Sequence, residues 1–446
     1  MRYLADLHIH SHHSRATSKT SHIRSLAAWA QIKGVHVLAS GDFTHPLWMR
    51  ELQECLEPAE PGFFKLKESV HRDFSVLSSF DLTTENIATR FVLSAEVSCI
   101  YKRDNRVRKI HNLLFVPDFD SAEEINRRLS AIGSLSSDGR PILKLDSRDL
   151  LEILLESSEA GFLVPAHIWT PWFSLFGSKS GFNSVEECFG DLADHIFALE
   201  TGLSSDPAMN RLISMLDSYS FISNSDCHSP ARICREANIF DTDFDFYSMR
   251  EAIRFPCDGR GLQRFSGTVE FYPEEGKYHL DGHRKCDFCC DPLQTRTLEG
   301  ICPYCGKALT VGVLSRVMEL ADREQAVFPD GSPLQYSLIP LVEILSELLG
   351  SGPATKTVMS HYLKLVSCFG SEMNILLTTP VEDIKKGYSS LLGEAVARIR
   401  SGDVYKKSGF DGQYGVISCF TAGEESDLRS EDEILRRRRV RLRKAD

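Results

Sequence analysis

The chain has no uninterrupted apolar run near the roughly 18 residues that a membrane-spanning helix needs. It opens on Tyr3-Leu4-Ala5-Asp6-Leu7-His8, with neither a basic leader nor an apolar stretch behind it. A membrane span and secretion are therefore not expected, and the cytoplasm is the expected compartment. Positive charge is not in excess: 51 Lys and Arg against 62 Asp and Glu give a formal charge of −11. That argues against whole-surface polyanion binding but leaves room for a local basic groove, or for acidic residues neutralised by cations. No repeat of solenoid or propeller period occurs, and 42% hydrophobic with 25% charged residues excludes wholesale disorder. Cysteine is not scarce. With no leader, the 13 cysteines read as reduced thiols and metal ligands rather than as a disulfide framework.

At 446 residues there is length for about two to four domains. Up to about residue 255, short β-rich runs alternate with amphipathic stretches. Strands are expected to end near His8, Ser40, Glu96, Val116, His167, Glu200 and Asn224. Helices are expected over Ile23 to Lys33 (Ser21 as N-cap, Gly34 just past the end), Ser121 to Ala131, Ser147 to Ser157, Ser184 to Leu192, Asp206 to Leu216 and Tyr247 to Arg254. This alternation favours an α/β fold with a parallel sheet, and the number of units favours a closed or distorted barrel. The pattern changes near Ser266: a strand over Gly267 to Tyr272, a cysteine-bearing segment to about Thr310, then helical patterns such as Pro340 to Leu349 and Val381 to Ile399. The implied domains are 1–265, 266–312 and 313–420, followed by a charged tail, 421–446, expected to be disordered.

Histidines and carboxylates recur where the strands should end. His8 and His10 sit two apart, so in extended chain both rings point the same way and can reach one metal; His12 and His13 follow in a polar turn and are read as solvent-facing. Asp42 and His45 follow the second strand. Glu96 ends an apolar strand, His111 begins the strand running to Val116, His167 follows another, and Asp226 and His228 end one more, again two apart. Charged groups are seldom buried unless paired or metal-bound, and in α/β barrels the strand ends share one face. About five His and three carboxylates exceed the needs of one ion, so two or three divalent ions (Zn, Mn or Mg) are expected. Clustered ions of this kind suit phosphoester hydrolysis.

These ordered motifs resemble those of the polymerase-and-histidinol-phosphatase (PHP) superfamily, which implies a distorted (β/α)7 barrel with a trinuclear metal site. Over roughly residues 1–420 the chain is similar to the endonuclease Q family. The similarity is carried by Asp6-Leu7-His8-Ile9-His10, Ser14-Arg15-Ala16-Thr17-Ser18-Lys19, Gly41-Asp42-Phe43-Thr44-His45-Pro46, Pro165 to Phe173, Phe176 to Gly181 and Asn224-Ser225-Asp226. One departure is that Phe43 follows Asp42 where many PHP proteins have histidine, so Asp42 and His45 remain alternatives as ligand. A further ligand found after the His-x-His in some PHP phosphatases has no match, because Ala16 and Thr17 occupy that region.

Cys286-x-x-Cys289 and Cys302-x-x-Cys305 can present four thiolates tetrahedrally to one structural Zn. Cys290 is the alternative to Cys289, and His279 and His283 are read as incidental. The resemblance implies that this module helps hold DNA. It also implies nicking of DNA 5′ of a deaminated base (uracil, hypoxanthine, xanthine) or an abasic site. Asp226, His228, His167 and Glu96 are the candidate catalytic residues, and metal-activated water would attack the phosphodiester. Trp169, Trp172 and Phe173 are placed to stack on a base, although at least one is equally suited to the core. Ser178 and Lys179 offer a cationic loop for a phosphate, and Arg15 and Lys19 are candidate backbone contacts. The Arg436 to Lys444 run would attract polyanions at low salt. Gln413 to Phe420 loosely resembles a sliding-clamp-binding peptide, but an edge strand explains it better. The alternatives are a PHP-type phosphomonoesterase acting on a small metabolite and a non-catalytic DNA-damage binding protein.

Overall fold

A computed structural model describes residues 1–71, 89–421 and 423–424. The expected disordered tail, its Arg436 to Lys444 run included, lies outside the described residues save for a few positions at its start.

The fold is mixed α/β around a mixed central sheet. Its strands are β1 (Arg2–Asp6), β2 (Val37–Ala39), β3 (Leu56–Pro58), β4 (Phe64–Leu66), β5 (Arg90–Arg103), β6 (Arg106–Val116), β7 (Ile142–Leu143) and β8 (Phe162–Pro165). A separate parallel pair follows, β9 (Ala198–Glu200) and β10 (Ser220–Ile222). β11 (Ala237–Asp241) and β12 (Phe265–Glu270) then return to the main sheet. The β1–β2–β5 core is parallel, as expected. The flanking pairs β1–β11, β11–β12, β5–β6 and β6–β8 are antiparallel, so the sheet is not the parallel one that alternation suggested. The largest difference is at β5–β6. These long strands form one hairpin closed by Asp104-Asn105, both left-handed (φ 53° and 58°), the geometry of a tight hairpin turn matched to strand twist. Glu96 and His111 therefore lie inside strands rather than at an end and a beginning.

Most predicted helices form. Ile23–Lys33 ends on Gly34 in the left-handed region (φ 91°), with His22 rather than Ser21 as the N-cap, its ring accepting from the Ser25 N–H. Ser147–Ser157 forms as predicted, capped by Asp146. The expected Asp206 to Leu216 helix breaks into Pro207–Asn210 and a 3-10 turn, Ser214–Leu216, where the buried Arg211 guanidinium donates to the Leu216 and Tyr219 carbonyls. After β12 come the hairpin β13 (Asp281–His283) and β14 (Phe288–Cys290), then β15 (Leu334–Ser337) beside β12. Helices Leu341–Leu349, Lys356–Phe369, Val381–Gly387 and Ser390–Ser401 follow; the single predicted helix over Val381 to Ile399 is two. β16 (Tyr405–Lys407) pairs antiparallel with β17 (Val416–Ser418), so the clamp-like peptide is a short strand here. Among the described residues, no helix is long and apolar enough to cross a membrane.

Candidate metal centre

The ends of β1 and β10 bring the two paired motifs together. Ile9 bridges in parallel to Cys227, and the His10 N–H donates to the Cys227 carbonyl at 3.1 Å, so His8-Ile9-His10 runs alongside Asp226-Cys227-His228. Buried Asp6 holds the junction by accepting from the Ser225 and Cys234 N–H groups at 3.1 and 2.8 Å. Gly41, left-handed at φ 61°, packs the turn after β2 against the same segment; a Cβ there would stand 2.4 Å from the Ile9 carbonyl oxygen. Asp42, His167 and Asp226 also have positive φ (45°, 29°, 44°). Each such non-glycine residue costs roughly 1–3 kcal/mol, and such strain collects at functional sites.

Two groups of candidate ligands form. In the first, one atom each of His8, His10 and Asp226 lies within 4.8 Å of the others; in the second, the same holds for Glu96, His111 and His167. Glu96 joins them. Its Oε2 lies 3.2 Å from His10 Nε2 and 3.6 Å from His8 Nε2, while its Oε1 lies 2.6 Å from His111 Nδ1 and 3.1 Å from His167 Nε2. Asp226 Oδ1 is 3.1 Å from His10 Nε2 and 3.6 Å from His8 Nε2. His8 Nε2, His10 Nε2 and Asp226 Oδ1 are buried without a well-formed hydrogen bond, a costly state unless another group uses those lone pairs. This donor set fits divalent cations. His228 lies at the rim, its ring 4.6 Å from that of His10 and its Nδ1 3.7 Å from Asp226 Oδ1.

A second layer, largely missed in the sequence, fixes these side chains. Glu200, fully buried, accepts from His8 Nδ1 at 3.0 Å and from the His167 N–H at 2.8 Å. Arg140 donates to Glu96 at 3.0 Å. Asp42 accepts from His10 Nδ1 at 3.0 Å, Ser11 N–H at 2.8 Å, Ser11 Oγ at 2.6 Å and Ser14 Oγ at 2.8 Å. Its oxygens are committed to orienting His10 and its loop. His45 turns away to stack on His13 at 4.2 Å, so neither Asp42 nor His45 joins either ligand group. Metal-bound histidines usually donate their other ring nitrogen in this way, which fixes the tautomer. Only a strand-end position hinted at Glu200; its task shows only in three dimensions.

The charges interlock. Burial pulls the His8 ring down, but Glu200, Asp226 and Glu96 outweigh it and hold the ring well above its ordinary value. Burial likewise opposes, and Asp42, Asp226 and Glu96 override, at His10. Burial would raise Glu96, yet His111, Arg140 and His8 hold it well below the carboxylate range, and His8 and His10 do the same for Asp226. His111 is pushed down to about 4, chiefly by burial.

Of the candidate substrate contacts, Trp172 is exposed, with Lys109 Nζ over its ring at 4.7 Å. Phe173 (φ 65°) lays its ring 4.7 Å from that of His111. Ser178, Lys179, Arg15 and Lys19 are exposed. Trp169 is core: it is 1% exposed and donates its indole N–H to Asn210 at 2.7 Å.

In the cysteine segment, ligand atoms of Cys286, Cys302, Cys305 and His283 lie within 4.8 Å of one another. The expected Cys289 is outside that group. Adjacent strand residues face opposite sides: Cys290 in β14 packs with Cys302 and Leu309, while Cys289 is exposed. His283, at the end of β13, stands 3.5 Å from Cys305 Sγ.

Comparison with known proteins places the chain. The crystal structure of the lesion-specific endonuclease PfuEndoQ from Pyrococcus furiosus matches with a TM-score of 0.80 and 31% identity, over 94% of this chain and 95% of that one. The chain belongs to the endonuclease Q family. A further Endonuclease Q structure, a complex with a 27-mer duplex carrying an abasic lesion at the active site, matches with a TM-score of 0.77 and 30% identity, over 94% and 96% of the two chains. The family model described as the MJ0043 C-terminal domain matches residues 340–403. The uncharacterized protein YqxK of Bacillus subtilis is 31% identical over 315 residues, 69% of this chain and 73% of that protein. The uncharacterized protein MJ0043 of Methanocaldococcus jannaschii is 33% identical over 258 residues, 56% of this chain but 31% of that protein, so the match spans about a third of that relative.

Proposed function

We propose that this protein is a metal-dependent DNA repair endonuclease that nicks the strand 5′ of deaminated bases (uracil, hypoxanthine, xanthine) or abasic sites. The observation that carries the reading is the buried cluster in which His8 Nε2, His10 Nε2 and Asp226 Oδ1 face one another around Glu96, in a member of a family with a structure bound to lesion-bearing DNA. His8, His10 and Asp226 would hold one divalent ion, Glu96, His111 and His167 a second, with His228 at the rim. Ions there supply an activated water at neutral pH and Lewis-acid stabilisation of the leaving oxygen.

The chain's own residues do the remaining work. Glu96, shared by both groups, sets their spacing, and Arg140 beside it offers a guanidinium to a non-bridging phosphate oxygen. Asp226 and His228, partly exposed, form the open side through which a phosphodiester enters. Trp172 and Phe173 offer rings to an unstacked base or an opened duplex, and Lys109 and Lys179 offer charge to flanking phosphates. Residues 1–265 are read as a distorted (β/α)7 barrel and 313–420 as a helical domain. Residues 266–312 are read as a module held by one structural Zn on His283, Cys286, Cys302 and Cys305. A small phosphomonoester would need neither added unit.

The test is incubation of the full chain, loaded with Mn2+, Zn2+ or Mg2+, with labelled duplexes carrying uracil, hypoxanthine, an abasic site or no lesion. A nick immediately 5′ of the lesion, leaving a 3′-hydroxyl, is expected, and Asp226→Asn should remove it while the circular dichroism spectrum is unchanged. Equal cleavage of intact DNA, or full activity in the variant, overturns the assignment.

A further inference from the structure

Beside that pocket lies a second group of imidazoles that the nuclease reading leaves unused. His12 and His13 follow the His-x-His after Ser11, and helix Pro46–Cys55 presents Glu51. One ligand atom from each of the three lies within 4.8 Å of the others. His12 and His13, expected to face solvent from a polar turn, are half-buried, as is Glu51. The rings of His12 and His13 lie 4.1 Å apart, His45 stacks on His13 at 4.2 Å, and the Trp48 indole closes the His12 side edge-on at 5.7 Å.

The hydrogen bonds engage one polar atom each of the His12, His45 and Glu51 side chains and leave the other uncommitted. His12 Nδ1 lies 3.3 Å from the Ser21 carbonyl. A carbonyl only accepts, so the proton is on Nδ1 and the Nε2 lone pair is free. This is the arrangement that Glu200 and Asp42 impose on His8 and His10, and the one metal-bound histidines adopt. His45 Nε2 donates to the Ser136 carbonyl at 3.3 Å, and its Nδ1, on a side chain 5% exposed, has no hydrogen-bond partner. Glu51 accepts the Ile23 N–H through Oε1 at 3.2 Å, leaving Oε2. The backbone is pinned on both sides, His12 N–H to the Ser21 carbonyl and Gly139 N–H to the His13 carbonyl, each at 3.0 Å.

We propose that His12, His13 and Glu51 form a further metal site, distinct from the two ligand groups of the pocket, which takes a borderline divalent ion such as Zn2+. Two imidazoles and a carboxylate are a common three-ligand Zn set, with water in the fourth position. Occupancy ties the loop bearing Arg15 and Lys19 to helix Pro46–Cys55. The inference rests on donor geometry alone and is independent of what the pocket cleaves.

The test is metal content and position, not activity. The full chain is loaded with Zn2+, dialysed and counted by mass spectrometry, beside Glu51→Gln and His13→Ala. Each variant should hold one equivalent fewer than the parent while its circular dichroism spectrum is unchanged. Crystals of the Zn2+-loaded parent should show an anomalous peak between His12, His13 and Glu51 at the Zn edge. Equal metal content in folded variants, or no anomalous peak there while the cysteine module is occupied, overturns the site. If both variants unfold, the anomalous map of the parent decides alone.

Discussion

His8 shows how single residues set the chemistry of the pocket. One ring nitrogen is spent on Glu200 and the other faces the space between the ligands, so the chain fixes the orientation of the ring before any metal arrives. Glu200→Gln keeps the shape but removes the charge that orients the ring. Loss of such a supporting carboxylate typically costs about 10–100-fold in metal affinity or activity, and isothermal titration with Mn2+ should register that loss. A pH signature follows from the raised His8 and His10 values. A group raised on folding contributes stability that is complete below its unfolded value, about 6.5 for histidine, and is lost as pH rises through the folded value. Glu96 and Asp226 are lowered, so their contribution is present above the unfolded carboxylate value of about 4 and is lost as pH falls through the folded values. Metal-free protein should therefore lose thermal stability as pH rises above about 6.5, while loaded protein, in which cations take the place of the two ring protons, should not. Melting curves at pH 6 and 8.5 with and without chelator check this; parallel curves would count against it.

At the scale of elements, the site is assembled by strand ends and the β5–β6 hairpin, and one helix from far along the chain braces the loop beside it. Arg316, on Val313–Leu320, is 7% exposed. Its guanidinium donates to the Phe176 and Phe182 carbonyls at 3.1 Å each and to Asn183 Oδ1 at 2.7 Å. It thus clasps the loop that follows Trp172 and Phe173 and carries Ser178 and Lys179. Hydrogen bonds to a charged donor contribute about 1.5–3 kcal/mol each. Arg316→Met should loosen that loop, and KM for lesion DNA should rise several-fold with metal content unchanged. An unchanged KM would show that the loop does not hold the substrate.

The strand ends were legible because apolar runs give way to polar or turn residues: β1, β2, β6, β8, β9 and β10 end within two residues of the predicted points. The direction of the strands was not legible, because the charged tips of β5 and β6 (Lys102, Arg103, Arg106) hide the alternation on either side of Asp104-Asn105. Among the candidate ligands, spacing brought out His8 with His10, which the structure gathers with Asp226. It did not bring out His283, which lies beside Cys305, whereas Cys289, turned to the other side along β14, lies outside that group. It also passed over Arg140 and Arg316, which act by reaching across the fold.

At the scale of the whole molecule, helix Ile23–Lys33 beside the sheet and the C-terminal helices are joined by a buried ion pair. Lys33, on the last turn of Ile23–Lys33, donates from Nζ to Glu372 at 2.6 Å, with both side chains almost fully buried. Glu372 also accepts from the Tyr362 hydroxyl at 2.6 Å and the Leu341 N–H at 3.0 Å, so one carboxylate gathers three elements. A buried pair adds little net stability, because desolvation offsets attraction, but removing one partner strands the other. Lys33→Met should therefore destabilise by about 3–5 kcal/mol. Glu372→Gln keeps a group able to accept from Tyr362 and Leu341 and, added to Lys33→Met, should recover most of that loss. Chemical denaturation of the single and double variants measures both effects, and limited proteolysis shows where the chain opens. If the helices from Leu341 onward are cut first in Lys33→Met, this contact holds the two parts together; uniform cutting along the chain would place the join elsewhere.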